Sequence, residues 1–88
     1  MAQHTVIWSE QAEAAGSSVP AGVREEIERR LEYVRRMPRM YASAHDERFP
    51  GCRSFWVDPM YRVYYMVAAT GQGVYVAAIV QEEVEEIA

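Results

Sequence analysis

The sequence predicts a small single α+β domain over residues 1–88: an N-terminal strand, two helices, then a three-stranded antiparallel meander, with an acidic tail at 81–88. Three observations carry that prediction. Phe49 to Val80 holds three runs rich in Val, Tyr, Phe, Trp and Ile, parted by Asp58-Pro59 and by Thr70-Gly71-Gln72-Gly73, which is the pattern of strands joined by turns. Val23, Ile27, Leu31 and Val34 recur at i, i+4, i+8 and i+11, one apolar stripe along a helix. A chain of 88 residues, 50% apolar and 25% charged, has room for one modest core and no second unit.

In chain order, Thr5 to Trp8 is a short apolar run, a first strand able to pair with the later sheet. Ser9 offers an N-cap to Glu10-Gln11-Ala12-Glu13-Ala14-Ala15, with acids in the first turns and Gly16 as the expected stop. Gly16-Ser17-Ser18 reads as a break, and Pro20 suits the first turn of the next helix. That helix carries the apolar stripe and should end near Met37, because Pro38 disfavours helical geometry in the residue before it. Glu25 with Arg29, Glu26 with Arg30 and Glu32 with Arg36 are acid-before-base pairs four apart, so most of its charge is a solvated helix surface.

Arg39 to Pro50 has no clean period, with room for a further helical turn around Met40-Tyr41-Ala42 before a loop. In that loop His45-Asp46-Glu47-Arg48 gathers polar groups at the rim of the meander; a polar loop accounts for them, and no metal site is expected. Alternation in the middle strand sets Tyr61, Val63, Tyr65 and Val67 against the helix stripe and leaves Met60, Arg62, Tyr64 and Met66 on a more open face. In the last strand Val74, Val76, Ala78 and Val80 alternate with Tyr75, Ala77, Ile79 and Gln81. The single cysteine, Cys52, allows no internal disulfide and reads as a small apolar residue.

The net charge of −4 argues against a general nucleic-acid binder. Its distribution is uneven: all nine basic residues are arginines between Arg24 and Arg62, while Glu82, Glu83, Glu85 and Glu86 make the end acidic. No run approaches the roughly 20 apolar residues that span a bilayer, and the first residues lack a secretion signal's pattern, so no membrane contact and a cytoplasmic location are expected. No cofactor is expected.

Thr5-Val6-Ile7-Trp8-Ser9-Glu10-Gln11-Ala12, Pro50-Gly51-Cys52-Arg53 and Tyr61-Arg62-Val63-Tyr64-Tyr65, with Val74 to Val80 as a last strand, together resemble the RelE/ParE superfamily of bacterial type II toxins. The first resembles that family's opening strand, hydroxyl cap and helix-borne alanine, the second its PG-x-R lead into a strand, and the third its yRv-x-Y strand. The resemblance implies two activities on one fold. RelE-like members cleave mRNA in the ribosomal decoding site, where cationic groups hold phosphates as the 2′-hydroxyl attacks. ParE-like members poison DNA gyrase. Both kinds are neutralised by an antitoxin whose C-terminal segment wraps around the toxin.

By that resemblance Arg62 matches the arginine that contacts the scissile phosphate, a role suited to a guanidinium that forks onto phosphate oxygens. Arg53 falls where RelE-like members carry basic residues, and Glu47 falls where some carry an acidic general base. Arg48, Tyr61 and Tyr64 complete an expected RNA-binding set, the tyrosines as stacking surfaces. Where RelE-like nucleases place Arg, His or Tyr after the last strand, this chain reads Gln81-Glu82-Glu83-Val84-Glu85. The expected function is therefore a toxin acting on the translating ribosome or on gyrase. Its alternatives are a catalytically degenerate interaction domain of the same fold, or a small regulatory homodimer that pairs its sheet edges.

Overall fold

Six elements follow the chain in the predicted order: β1 (Thr5–Trp8), α1 (Glu10–Ser18), α2 (Ala21–Arg36), β2 (Arg53–Val57), β3 (Tyr61–Val67) and β4 (Gly73–Gln81). The computed structural model describes residues 5–69 and 73–82. The expected turn at Thr70-Gly71-Gln72 and the tail from Glu83 onward lie outside them. The four strands form one sheet in the order β1-β4-β3-β2, antiparallel from β4 to β2 and with β1 added parallel to β4.

Ser9 starts α1 as the sequence predicts: its Oγ accepts from the Ala12 N–H at 3.0 Å and donates to the Ala77 carbonyl at 2.7 Å. Gly16 does not stop the helix. It is buried inside α1, where an added Cβ would meet Arg24 Nη1 at 2.6 Å and the Trp8 ring at 2.9 Å. The glycine thus serves a close approach of β1 and α2. The Ser17 and Ser18 hydroxyls donate to carbonyls one turn back, and Pro20 then separates the helices.

Helix α2 buries the predicted stripe, with Val23, Ile27, Leu31 and Val34 all in the core and each adding about 1.5–3 kcal/mol by burial. Of the three expected ion pairs, Glu26–Arg30 forms at 2.8 Å, while Arg29 turns to Glu26 and Arg35 to Glu32 at i,i+3 spacing. Residues three and four apart are equally close on a helix, so the rotamer decides the partner. No helical turn forms at Met40. Pro38 and Arg39 instead form a turn, closed by the Met40 N–H on the Met37 carbonyl at 3.0 Å, after which Ser43 bridges to Arg53 and the Ser54 N–H reaches the Ala42 carbonyl at 3.3 Å. Tyr41 stacks on Phe55 at 4.8 Å, and the Tyr65 hydroxyl donates to the Pro38 carbonyl at 2.8 Å.

The helix-facing core joins Phe55, Val57, Val63, Tyr65, Val74, Val76 and Ile79 to the α2 stripe. In β4 the predicted alternation fails after Val76. The register shifts where Tyr64 pairs with Ala78 but Tyr65 with Val76, leaving Ala77 as an extra residue. This β-bulge returns Ile79 to the helices and sends Ala78 and Val80 to the other face. There they form a second small core with Cys52, Tyr64, Phe49 and Ala77.

Candidate functional site

The candidate site is built on the sheet face away from the helices, at the end where β2, β3 and β4 meet the 44–52 loop. Asp58 and Gly51 shape its two approaches. Asp58, at φ 48°, lies in the short turn that returns β2 into β3, and this fixes Trp56 opposite Arg62 and Ser54 opposite Tyr64. Gly51 takes φ 78°, a left-handed geometry suited to glycine, and closes the turn that places Cys52 beneath the sheet. Cys52 is buried and its burial raises the thiol pKa, so the packing role expected of it holds.

Tyr64 is the pivot. Its ring is fully buried, with Phe49 packed edge-on at 4.3 Å, which corrects the expectation of an open stacking surface. The cause is the loop, which folds Phe49 and Cys52 over this part of the face. Its hydroxyl donates to Asp46 Oδ2 at 2.8 Å and also lies 3.2 Å from Glu82 Oε1. Burial, then the Asp46 hydrogen bond, pushes this phenol up to about 12.

Arg48 and Arg62 flank that ring, their guanidinium carbons 5.9 and 5.1 Å from its centroid. They are differently committed. Arg48 Nη2 contacts Asp46 Oδ2 at 2.7 Å, Glu82 Oε1 at 2.6 Å and the Tyr64 hydroxyl at 3.1 Å. The Arg48 hydrogen bonds, followed by that of Tyr64, hold the Asp46 carboxyl well below the usual carboxylate range. The Arg62 side chain makes one hydrogen bond among the described residues, Nε donating to Ser54 Oγ at 3.0 Å, and stacks 5.3 Å from the Trp56 centroid. Its two terminal nitrogens meet no acceptor among the described residues.

Arg62, Arg48 and Tyr64 are therefore brought together, whereas Arg53 and Tyr61 are not. Arg53 pairs with Tyr65 and Tyr61 with Val57 and Gln81, so both belong to the helix side of the sheet. Arg53 Nη1 donates to the Tyr41 carbonyl at 2.6 Å, and Tyr61 packs on the main core. Alternation along β2 carries this separation: Arg53 lies three residues from Trp56, which faces Arg62, and so points to the opposite side of the sheet. Glu47 is exposed on the loop beside Arg48, without a side-chain partner among the described residues.

Sequence reasoning missed Trp56 and Ser54 as members of the site, while Asp46 lay in the polar stretch set at its rim and Glu82 in the acidic stretch after the last strand. Trp56 was within reach: a short turn at Asp58-Pro59 sets it across the ladder from Arg62. The pairing of Glu82 with Arg48 was not, since that contact spans 34 residues.

No protein-family model matches the chain, and no curated protein matches it. Solved structures do. An arginine-to-alanine double mutant of the E. coli RelE toxin, in complex with a peptide of its antitoxin RelB, aligns at TM-score 0.78 and 25% identity, covering 99% of this chain and 90% of that one. The toxin in the intact E. coli RelBE complex aligns at 0.76 and 22% identity, covering 92% and 99%. A YoeB/ParE toxin from Agrobacterium tumefaciens aligns at 0.73 and 16% identity, covering 90% and 99%. The β1, paired helices and β2–β3–β4 meander described above are thus those of a RelE/ParE-like toxin fold.

Proposed function

We propose that this chain is the growth-inhibiting toxin of a toxin–antitoxin pair, and that it meets its target through an RNA phosphodiester held by Arg62. The observation that carries the reading is the state of Arg62: a guanidinium stacked on the half-exposed Trp56, with both terminal nitrogens unbonded among the described residues. Such a group donates from its fork to two phosphate oxygens, and the indole beside it offers a face to the neighbouring base. The antitoxin partner is inferred from the solved relatives, one of which holds an antitoxin peptide.

The electrostatics favour a local grip. Arg48 and Arg62 are balanced by Asp46 and Glu82, so this face does not present the broad positive field of a general nucleic-acid binder. A target that supplies its own binding surface, such as the ribosome around an mRNA, suits one strong phosphate contact. Arg62 would stabilise charge on the phosphate, and Glu47, exposed on the loop beside Arg48 and unpartnered among the described residues, is a carboxylate available as a base. Arg53 has no part in this reading, because it is bound on the other side of the sheet.

Expression in a bacterial host, with mapping of mRNA 5′ ends and of gyrase-linked DNA breaks, tests the reading. New mRNA ends at codon-spaced positions support it. Breaks without such ends would move the target to gyrase, and growth arrest with neither would leave a binding module of the same fold.

A further inference from the structure

Arg48 carries two carboxylates, and they hold it in different ways. Asp46 is a local chelate: Oδ1 accepts from the Arg48 backbone N–H at 2.9 Å and from Nε at 3.1 Å, and Oδ2 from Nη2 at 2.7 Å. Glu82 comes from the far end of β4 and touches Arg48 through Oε1 and Nη2 alone, at 2.6 Å, with the Tyr64 hydroxyl alongside. Its backbone is fixed independently, the Glu82 N–H donating to the Met60 carbonyl at 2.6 Å. The side chain can therefore leave Arg48 without disturbing the strand.

We propose that Glu82 is a carboxylate gate on this surface, its Oε1 holding the place of a phosphodiester oxygen on Arg48. This rests on the RNA reading of Arg62 given above. A carboxylate and a phosphodiester present the same kind of anionic oxygen to a guanidinium, and an ion pair of which the arginine is 55% exposed is weak enough to exchange. With Glu82 in place, Arg48, Arg62, Asp46 and Glu82 sum to zero charge and RNA finds one available cation. With Glu82 displaced, Arg48 joins Arg62 across the Tyr64 ring and two adjacent phosphates can be held. Asp46 stays, because its contacts organise the loop that carries Arg48.

The test is a titration of a fluorescein-labelled oligouridylate with the full chain, Glu82→Gln, Glu82→Ala, Arg48→Ala and the Glu82→Gln/Arg48→Ala double variant, each with and without Arg62→Ala, across a salt series. Both Glu82 variants should bind roughly fivefold more tightly, the scale of one exposed ion pair. Their dependence of log affinity on log salt should steepen by about 0.7, one further single-strand phosphate contact. Arg48→Ala alone should change little, and in the double variant it should cancel the gain. Unchanged affinity and slope in both Glu82 variants would overturn the gate; if Arg62→Ala still weakens binding, the reading of Arg62 stands without it. Binding that ignores Arg62 in every variant would overturn both.

Discussion

Arg62 sits across the β2–β3 ladder from Trp56, its guanidinium carbon 5.3 Å from the indole centroid and its Nε anchored on Ser54 Oγ. The pairing orients the fork without using its terminal nitrogens. Trp56 is 43% exposed although it is a large apolar residue, and under the proposed function its open indole would stack on a base. Trp56→Ala should weaken oligouridylate binding by about 1–3 kcal/mol, and Trp56→Phe by much less. Fluorescence anisotropy of a labelled strand measures both.

Asp46 makes the loop acid-sensitive. Arg48 and then Tyr64 hold its carboxyl below the ordinary range, while in the unfolded chain it titrates near pH ~4. The unfolded state thus binds the proton first, so this contribution is complete above about pH 5 and is lost as pH falls below the unfolded value. Thermal unfolding from pH 7 to 3 should show a fall in Tm that is smaller in Asp46→Asn.

Tyr64 gives the complementary alkaline signature. Its phenol is raised to about 12 by burial and by Asp46, against an unfolded value near ~10. That stabilisation is present below pH ~10 and disappears as pH rises through the folded value. In an ultraviolet phenolate titration, Tyr64→Phe should remove a late-titrating component near the alkaline end.

Gln11 completes the sheet where β1 runs out. Strand β1 ends opposite Val76, and beyond it the Gln11 side chain accepts from the Ile79 N–H at 3.1 Å and donates to the Ile79 carbonyl at 3.2 Å, as a peptide group would. Gln11→Ala should cost about 1–3 kcal/mol by leaving both groups unpaired. Ser9→Ala, which loses a helix cap and the bond to Ala77, should cost about 1–2 kcal/mol. Urea unfolding with an unchanged m-value would report each loss.

The elements were legible because periodicity reports them directly: the α2 stripe is buried at Val23, Ile27, Leu31 and Val34, as its spacing predicts. What strict alternation could not reveal was the bulge at Ala77, since an inserted residue reverses the face of everything after it without changing composition. Gly16 misled for a related reason. Its small size serves the contact with Trp8 and Arg24, which exists only once the fold does. In the site, Arg62 stood out as a charge within an apolar strand, and alternation from Trp56, opposite it, to Arg53 separates the second arginine from it. The coupling of Arg48 to Glu82 needed the whole topology.

Growth reads out the proposed toxicity and its dependence on Arg62. The full chain and Arg62→Ala should be induced at matched soluble levels in a bacterial host, with and without the product of the adjacent reading frame. Arrest by the unaltered chain, relieved by that partner and abolished by Arg62→Ala, is the predicted result. Equal arrest by the two proteins, or normal growth with both, would contradict it.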